Sequence, residues 1–154
     1  MDKTNVMKIL DQKKIKYDFF IYNPEITDGV LVANLVKKEC CEVFKTLVTI
    51  DSGGIYHVFC IPVDKTLDVK KVAKLLNKKS IDMIKQKELE PLTGYVHGGC
   101  SPIGMKKKFP TYFDSSINNL SNVCISGGKR GYQVQIDKDE LIKLTQGRVI
   151  ELVI

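Results

Sequence analysis

The spacing of apolar residues near the start of the chain predicts a helix followed by a strand. Between Thr4 and Lys14, apolar side chains recur at helical intervals, and Thr4 stands where an N-cap residue is expected. The stretch from Ile15 to Tyr22 is rich in β-formers, and the Asn23-Pro24 pair ends it. An amphipathic helix and a first strand are therefore expected over residues 4–22.

Two further helices are predicted where an aspartate precedes periodic apolar residues. Asp28 can cap the first helix and Asp68 the second. In the first helix, apolar side chains recur at i, i+1, i+4 and i+5, at Leu31, Val32, Leu35 and Val36. In the second, the side chains expected to face inward are Val69, Val72, Ala73, Leu75 and Leu76. Between these helices, the β-rich runs 43–50 and 55–63 flank a turn-forming Asp-Ser-Gly-Gly at 51–54, which is typical of a hairpin.

The second half of the chain alternates glycine-rich loops with short apolar strands, around residues 111–113, 123–126 and 132–136. Asp137 and Glu140 have the spacing of a capping box for a helix that ends near Gly147, and residues 148–154 close the chain as a strand. The regular βαβ alternation of a doubly wound fold is missing. We therefore expect one α+β domain over 1–154, with helices around a mixed, curved, barrel-like sheet.

Composition and charge leave several partner classes open and remove others. The 154 residues are 44% hydrophobic and 27% charged, which is ordinary for a globular domain. Twenty-four Lys and Arg against 18 Asp and Glu give a net charge of +6, which permits a polyanionic partner but does not require one. The chain shows neither a signal-peptide pattern nor an apolar run of about 18 residues, so we expect a cytoplasmic protein without a membrane partner.

Cysteine and histidine are too few, and too irregularly spaced, for a metal centre. The five cysteines lack CxxC spacing, and there are two histidines. We therefore expect no metal and no cofactor. Cys100 lies three residues from His97, but no third group is evident to orient such a pair. Ser101 and Ser126 lack the Gly-x-Ser-x-Gly elbow of serine hydrolases. A hydrolase that uses Cys100 remains an alternative. In any enzyme built from these residues, most of the rate enhancement would come from positioning of the substrate and stabilisation of charge.

Lys45 and the lysines of residues 64–79 can each be interpreted in two ways. Lys45 shares a strand face with Val43 and Leu47, so its side chain either faces solvent or lines a cleft. Residues 64–79 hold six lysines and two aspartates, and they form either a solvated helix face or a flank that contacts phosphate.

Two glycine loops are the densest features of the sequence. Residues 94–104 contain paired glycines whose backbone N–H groups can approach a ligand, and a run of three lysines follows at 106–108. Residues 126–131 read Ser-Gly-Gly-Lys-Arg-Gly and lack the spacing of a nucleotide-binding P-loop. Either loop can equally be a structural turn.

Four motifs in a fixed order resemble the YbaK/EbsC family. They are Phe44-Lys45-Thr46-Leu47, Thr93-Gly94-Tyr95, Gly98-Gly99-x-Ser101-Pro102-x-Gly104-x-Lys106-Lys107 and Ser126-Gly127-Gly128-Lys129-Arg130-Gly131. Members of this family are bacterial Cys-tRNA(Pro)/Cys-tRNA(Cys) deacylases related to the editing domain of bacterial prolyl-tRNA synthetase. The resemblance spans nearly the whole chain.

The resemblance implies trans-editing, in which cysteine is removed from mischarged Cys-tRNA(Pro), and Cys-tRNA(Cys) is a further expected substrate. The thiol of the substrate would attack its own ester carbonyl, so no protein nucleophile would be needed. The implied partners are the aminoacylated acceptor end of tRNA and prolyl-tRNA synthetase. The alternatives are a non-catalytic module that binds either partner and a deacylase for another small amino acid.

The resemblance also assigns roles to residues. The implied catalytic residues are Lys45, Gly98 and Ser126; the implied substrate-binding residues are Tyr22, Thr46, Gly99, Ser101 and Gln133; and the basic side chains proposed to contact tRNA are Lys106, Lys107, Lys108, Lys129 and Arg130. The N–H groups near Gly98 and Gly99 are expected to hold the carbonyl oxygen. Relatives carry an acidic residue where this chain has Gln133, which leaves substrate choice open.

Overall fold

The strands form two sheets that meet along one edge. The computed structural model describes residues 2–154, so residue 1 of the predicted domain lies outside the described residues. The helices are α1 (Asn5–Gln12), α2 (Gly29–Leu35), α3 (Val69–Leu75), α4 (Gln86–Thr93) and α5 (Lys138–Thr145). The strands are β1 (Tyr17–Ile21), β2 (Phe44–Asp51), β3 (Tyr56–Pro62), β4 (Ile81–Met83), β5 (Thr111–Asp114), β6 (Asn122–Ser126), β7 (Tyr132–Asp137) and β8 (Arg148–Ile150).

The α+β architecture is confirmed, but the strands do not close into one barrel. One sheet is antiparallel with the order β1-β7-β6, and the other has five strands in the order β4-β2-β3-β5-β8. The five-stranded sheet is mixed, because β3 runs parallel to β5 and β5 parallel to β8. A single bridge between Val43 and Cys124 joins the edge of β6 to the start of β2. This junction brings the first residues of β2 close to the ends of β6 and β7.

Side-chain caps begin four of the helices where the sequence predicts them. The hydroxyl of Thr4 accepts a hydrogen bond from the backbone N–H of Met7 at 3.2 Å. The carboxylates of Asp28, Asp68 and Asp137 accept corresponding bonds from the first turns of α2, α3 and α5. Each cap satisfies an N–H group that has no partner within its helix, so a local sequence signal fixes where the helix begins.

The predicted hairpin between β2 and β3 is confirmed, and a buried aspartate organises its turn. One oxygen of Asp51 accepts hydrogen bonds from Gly53 N–H at 2.7 Å and Ile55 N–H at 3.0 Å. The other oxygen lies 2.8 Å from Nε2 of His57 and 3.5 Å from Nζ of Lys78. The bond to His57, followed by the turn N–H groups and the charge of Lys78, holds the pKa of Asp51 well below its usual range.

Strand β3 is buried on both faces and separates two hydrophobic clusters. Val58 and Cys60 belong to the larger cluster, which also contains the apolar side of α1. Phe59 and Ile61 point the other way and pack with α3. This two-sided burial explains why residues 55–63 form a nearly continuous apolar run.

Several sequence predictions about single residues and segments are wrong. Leu75 is about half exposed rather than inward-facing, and Leu31 and Leu35 of the apolar repeat in α2 are about half exposed as well. In helices of only seven residues, the buried stripe is narrow, and Val32 and Val72 occupy its centre.

The closing strand ends at Ile150, followed only by an isolated bridge at Val153. None of the helices in residues 2–154 combines the length and apolar content needed to cross a bilayer.

Candidate active site

A small cavity opens where the two sheets meet, and we call it the Lys45 cavity. Its volume is about 170 Å³, close to the roughly 150 Å³ that holds one benzene molecule in a protein interior. Its wall includes six of the residues assigned to catalysis or substrate binding from the sequence: Tyr22, Lys45, Thr46, Gly98, Ser126 and Gln133. Residues far apart in the sequence therefore share one cavity that fits a small amino-acid side chain.

Lys45 lines the cavity near the start of β2. Of the two positions predicted for its side chain, the structure therefore shows the one in a cleft and not the one facing solvent. It forms no ion pair with any residue in 2–154. The part of the cavity wall that the structure describes contains no carboxylate either. Val32, Val43 and Val63 form part of an apolar wall nearby. An unpaired ammonium beside apolar surface is available to stabilise negative charge that develops on a bound ligand.

Thr46 lines the same cavity next to Lys45 in β2. Its hydroxyl oxygen lies 3.7 Å from the sulfur of Cys60, its partner across the β2–β3 hairpin. Burial raises the pKa of Cys60 to about 12, so this sulfur is a neutral thiol. Thr46 therefore connects the cavity wall to the core beneath it.

The glycines of the first loop differ in what they offer to a ligand. Gly98 lines the cavity with a φ of +87°, a conformation that favours glycine. No acceptor in residues 2–154 takes its backbone N–H, so that donor is available. Gly99 instead donates its N–H to the carbonyl of Val96 at 3.0 Å and does not line the cavity. The expectation that the Gly99 N–H holds a substrate oxygen is therefore wrong, because the turn already uses that group.

Gly99 is needed for the contact between the two glycine loops. A Cβ atom at this position would lie 3.0 Å from the backbone N of Arg130 and 3.0 Å from the carbonyl carbon of Lys129. The Nε of Arg130 also donates a 2.8 Å hydrogen bond to the carbonyl of His97. The loop at 126–131 thus packs against the loop at 94–104 and supports it.

Ser126 stands at the end of β6 with its side chain held in place. Its Oγ accepts a hydrogen bond from the backbone N–H of Gly128 at 3.1 Å. This bond occupies an acceptor site of the hydroxyl and leaves its hydrogen free for a ligand. Ser126 is therefore oriented as a hydrogen-bond donor, and no base among residues 2–154 hydrogen-bonds to its hydroxyl to activate it as a nucleophile.

Tyr22 and Gln133 form one side of the cavity at the ends of β1 and β7. The backbone N–H of Tyr22 donates to the carbonyl of Gly131 at 2.9 Å, which ties this residue to the second loop. Burial raises the pKa of the Tyr22 hydroxyl, while the neighbouring Gln133 side chain and the Gly131 backbone oppose that shift. Gln133 is itself buried, and its Oε1 has no partner in the described residues.

Ser101 does not reach the cavity. It is fully buried, and its Oγ accepts a hydrogen bond from the N–H of Ile103 at 3.2 Å. The hydroxyl of Tyr95 donates to the carbonyl of the same Ile103. Ser101 therefore holds the shape of the loop, and its predicted contact with substrate is not supported.

Cys100 and His97 both line the cavity without forming a nucleophile–base pair. Burial raises the pKa of the Cys100 thiol to about 12, so the reactive thiolate is strongly disfavoured at neutral pH. No hydrogen bond links the two side chains within the described residues. Across residues 2–154, no group of three His, Cys, Asp or Glu side chains is placed to hold a metal ion.

Leu89 and Thr27 are among the wall residues that were not predicted from the sequence. Leu89 comes from α4, which was not predicted because that helix contains Pro91 and few apolar residues. Thr27 lies in the loop before α2 and packs against Gly98. Neither residue carries a local signal, because its role depends on contacts distant in the sequence.

The basic side chains assigned to tRNA lie on the surface beside the two loops. They are Lys106, Lys107, Lys108, Lys129 and Arg130, and all are exposed. Lys107 and Lys108 line a separate groove with Pro102 and Phe109, while Arg130 contacts the loop that forms the cavity. Of these cations, Arg130 is therefore the one tied by a hydrogen bond to the cavity wall, and Lys107 and Lys108 belong to the separate groove.

Comparison with known proteins gives consistent matches. Residues 24–144 match the family model of the aminoacyl-tRNA editing domain. The chain is 39% identical over 152 residues to the "Putative Cys-tRNA(Pro)/Cys-tRNA(Cys) deacylase EbsC" of Enterococcus faecalis (strain ATCC 700802 / V583), covering 97% of this chain and 93% of the relative. It is 29% identical over 122 residues to a proline–tRNA ligase of Sulfurihydrogenibium sp. (strain YO3AOP1), covering 77% of this chain but 21% of the ligase.

A solved structure described as "a putative trans-editing enzyme for prolyl tRNA synthetase" has the same fold, with a TM-score of 0.86 at 21% identity over 100% of this chain and 99% of that one. The fold class and the expected enzyme class, an aminoacyl-tRNA deacylase, are confirmed by these matches. The chain belongs to the aminoacyl-tRNA editing-domain family.

Proposed function

We propose that this protein is a trans-editing deacylase that removes cysteine from mischarged Cys-tRNA(Pro) and also accepts Cys-tRNA(Cys). The observation that carries the proposal is the meeting of Lys45, Gly98 and Ser126 in one cavity of about 170 Å³. The cavity offers one unpaired ammonium, one free backbone N–H and one oriented hydroxyl. Its thiol, Cys100, is held in the unreactive protonated form. This set of groups suits a reaction in which the substrate supplies the nucleophile.

Cysteine and proline have similar volumes, so a synthetase pocket separates them poorly by shape alone. A second site can correct the error if it uses a chemical property that only the wrong amino acid has. The thiol of cysteine is such a property. In a cavity without a protein nucleophile, a prolyl ester would stay intact because it has no side-chain group that can attack.

The proposed reaction proceeds within the substrate. The cysteinyl thiol loses its proton, and its sulfur attacks the carbonyl carbon of its own ester. A C–S bond forms, the C–O bond to the ribose breaks, and the departing ribose oxygen takes up a proton. The products are free tRNA and a cyclic thiolactone, which water then opens to cysteine.

Each of three groups has a separate role in this step. The N–H of Gly98 donates to the carbonyl oxygen as negative charge develops there, and the ammonium of Lys45 stabilises the same charge. The hydroxyl of Ser126 fixes the orientation of the aminoacyl group. Removing one such donor typically lowers the rate by about 10²–10³.

The tRNA contacts complete the proposal. Lys106, Lys107, Lys108, Lys129 and Arg130 contact phosphates of the acceptor end, and these contacts position the ester over the cavity without reading its sequence. Selection of the proline tRNA then depends on a partner, for which prolyl-tRNA synthetase is the proposed candidate.

The test is single-turnover deacylation of Cys-tRNA(Pro) and of Ala-tRNA(Pro), which lacks the thiol. The wild-type protein should release cysteine and leave the alanyl ester largely intact. Equal rates on both esters would contradict attack by the substrate thiol. Tight binding of Cys-tRNA(Pro) without turnover would indicate a binding module instead.

Lys45→Ala is the decisive variant. We expect a loss of about 10²–10³ in rate, with an unchanged unfolding midpoint because Lys45 forms no ion pair with residues 2–154. Lys16→Ala, which removes an exposed lysine that does not line the cavity, is the matched control and should retain activity. Near-normal activity of Lys45→Ala would reject the assignment.

A further inference from the structure

A second cavity lies beside the first glycine loop, and we call it the Phe109 groove. Its volume is about 300 Å³, which is about twice that of a cavity that holds one benzene molecule. Its wall includes apolar side chains from α1, from the first glycine loop and the segment after it, and from α5: Ile9, Ile103, Met105, Phe109 and Leu144. Two exposed lysines, Lys107 and Lys108, line it as well. The groove therefore combines apolar surface with two positive charges.

The positive charges of the Phe109 groove are not neutralised by the protein. Neither Lys107 nor Lys108 forms an ion pair with any residue in 2–154. The ammonium of Lys108 donates a hydrogen bond to the side-chain carbonyl of Gln146, which is a neutral acceptor. The described residues that line the groove include no Asp or Glu. The groove therefore favours a ligand that carries negative charge beside an apolar group.

The wall of the Phe109 groove is held in place before any ligand binds. The carbonyl of Ile103 accepts a hydrogen bond from the hydroxyl of Tyr95, and its N–H donates to Oγ of Ser101 at 3.2 Å. The ring of Phe109 packs edge-on against the ring of Tyr56, with 5.7 Å between the ring centroids. Phe109 nevertheless remains partly exposed. A ligand can therefore pack on an aromatic side chain whose position is already fixed.

The first glycine loop lines both the Lys45 cavity and the Phe109 groove. Cys100 belongs to the wall of the cavity, and Pro102 belongs to the wall of the groove. Their Cα atoms are at most about 7.6 Å apart, because consecutive Cα atoms are separated by about 3.8 Å. Successive nucleotides of a stacked strand are about 3.4 Å apart, and an extended strand spans more. The groove is therefore within reach of the few nucleotides that adjoin an ester held in the cavity.

We propose that the Phe109 groove binds one of the two cytidines that precede the aminoacylated adenosine at the single-stranded end of tRNA. The base packs on the ring of Phe109, and Lys107 and Lys108 contact the adjoining phosphates. Proteins that bind single-stranded nucleic acid combine an aromatic platform with cations along the backbone in this way. The inference takes its ligand from the proposed function, and it adds a subsite for a base to the phosphate contacts proposed above.

Substrates of increasing length test this subsite. The kcat/KM of the wild-type protein should rise by about tenfold from cysteinyl-adenosine to the cysteinyl-CCA trinucleotide, which is the effect of stacking one base. A cysteinyl trinucleotide with abasic sites in place of both cytidines keeps the phosphates and should lose most of this gain. Spontaneous loss of each ester is measured without protein and subtracted. An abasic trinucleotide that reacts as fast as cysteinyl-CCA would overturn the inference.

Phe109→Leu is the informative variant, because it removes the ring and keeps an apolar side chain against the core. We expect the ratio of kcat/KM for cysteinyl-CCA to that for cysteinyl-adenosine to fall about tenfold. This ratio does not depend on how much of the variant is folded. Phe19→Leu changes an exposed phenylalanine that lines neither cavity, so this matched control should keep the wild-type ratio. A wild-type ratio in Phe109→Leu would refute the subsite.

Binding of uncharged CCA gives a readout that needs no turnover. In amide nuclear magnetic resonance spectra of the wild-type protein, CCA should shift the signals of Met105, Lys107 and Phe109, and these shifts should weaken in Phe109→Leu. Shifts confined to other surfaces, such as the lysines of α3, would place the strand elsewhere and contradict the inference.

The outcomes distinguish this inference from the proposed function. If CCA shifts the groove signals but the protein leaves Cys-tRNA(Pro) intact, the subsite stands and the proposed function fails. If the protein deacylates Cys-tRNA(Pro) while Phe109→Leu keeps the wild-type ratio and CCA leaves the groove signals unchanged, the function stands and the subsite fails. If the protein neither binds CCA nor hydrolyses the ester, both are refuted.

Discussion

Replacement of Gly131 by alanine tests how tightly the second glycine loop is held against β1. Gly131 has a φ of +85°, and a Cβ atom there would lie 2.7 Å from the carbonyl oxygen of Tyr22. The left-handed conformation costs an L-residue about 1–2 kcal/mol. Overpacking typically costs about 1–3 kcal/mol, and rotation of a side chain cannot relieve it here because the facing atom belongs to the backbone. The expected loss of stability is about 2–5 kcal/mol.

Gly54→Ala is a closely matched control for the conformational part of this cost. Gly54 has a φ of +83°, and a Cβ atom there would meet nothing within 4 Å. It should lose only the cost of the left-handed conformation, about 1–2 kcal/mol. Urea unfolding followed by circular dichroism gives both values, and equal m-values show that the comparison is valid.

Deacylation of Cys-tRNA(Pro) provides the second readout of this pair. The clash in Gly131→Ala displaces Tyr22 from its 2.9 Å backbone bond to Gly131, so this variant should lose activity, while Gly54→Ala keeps it. If the two variants were destabilised equally, within about 0.5 kcal/mol, the loop would yield freely to an added methyl group. The close contact between the loop and β1 would then not be a constraint on the cavity.

Three further predictions concern other groups. Because the bond to His57 lowers the pKa of Asp51, the contribution of Asp51 to folding is complete above its unfolded pKa of about 3.9 and is lost as the pH falls through the folded pKa. Asp51→Asn should therefore be less stable than the wild type at pH 6 and show a smaller drop in its urea midpoint between pH 5 and pH 2; an undiminished drop would locate the acid sensitivity elsewhere. Cys100→Ser should keep most of its deacylase activity, because burial holds the Cys100 thiol protonated with a pKa of about 12, and inactivation would restore the case for a cysteine nucleophile. Lys107→Ala should weaken tRNA binding and reduce the slope of log K against log salt by about one, whereas Lys16→Ala should leave the slope unchanged. Identical slopes for the two variants would indicate that Lys107 is a solvated surface residue that does not contact phosphate.

Much of the fold is predictable because its signals are local. An aspartate or threonine before an apolar repeat marks the start of four helices, and each of these caps forms the expected hydrogen bond. The Asp-Ser-Gly-Gly turn likewise fixes the β2–β3 hairpin. Helix α4 escapes prediction because Pro91 and a polar composition obscure its pattern. The separation of the strands into two sheets is not predictable either, because pairing between strands far apart in the sequence produces no local signal in either strand.

Most of the residues assigned to the site line one cavity, but Gly99 and Ser101 do not, and the roles of the residues were only partly predictable. Strand alternation places Lys45 on a face without saying whether that face is covered, and the family resemblance favours the cleft. Within the first glycine loop, spacing does not reveal which N–H groups the turn itself uses. Only the three-dimensional hydrogen bonds show that Gly98 has a free N–H while Gly99 and Ser101 maintain the loop.

Arg130 combines two tasks that could have been given to separate residues. Its Nε supports the carbonyl of His97 in the loop beside the amino-acid cavity, and the rest of its guanidinium faces solvent where nucleic acid would approach. If Arg130 contacts tRNA as proposed, a substitution there would change both tRNA binding and the support of the loop beside the cavity. Changes meant to alter the proposed tRNA contacts alone are better placed at the lysines of 106–108, whose side chains form no hydrogen bond with either glycine loop among the described residues.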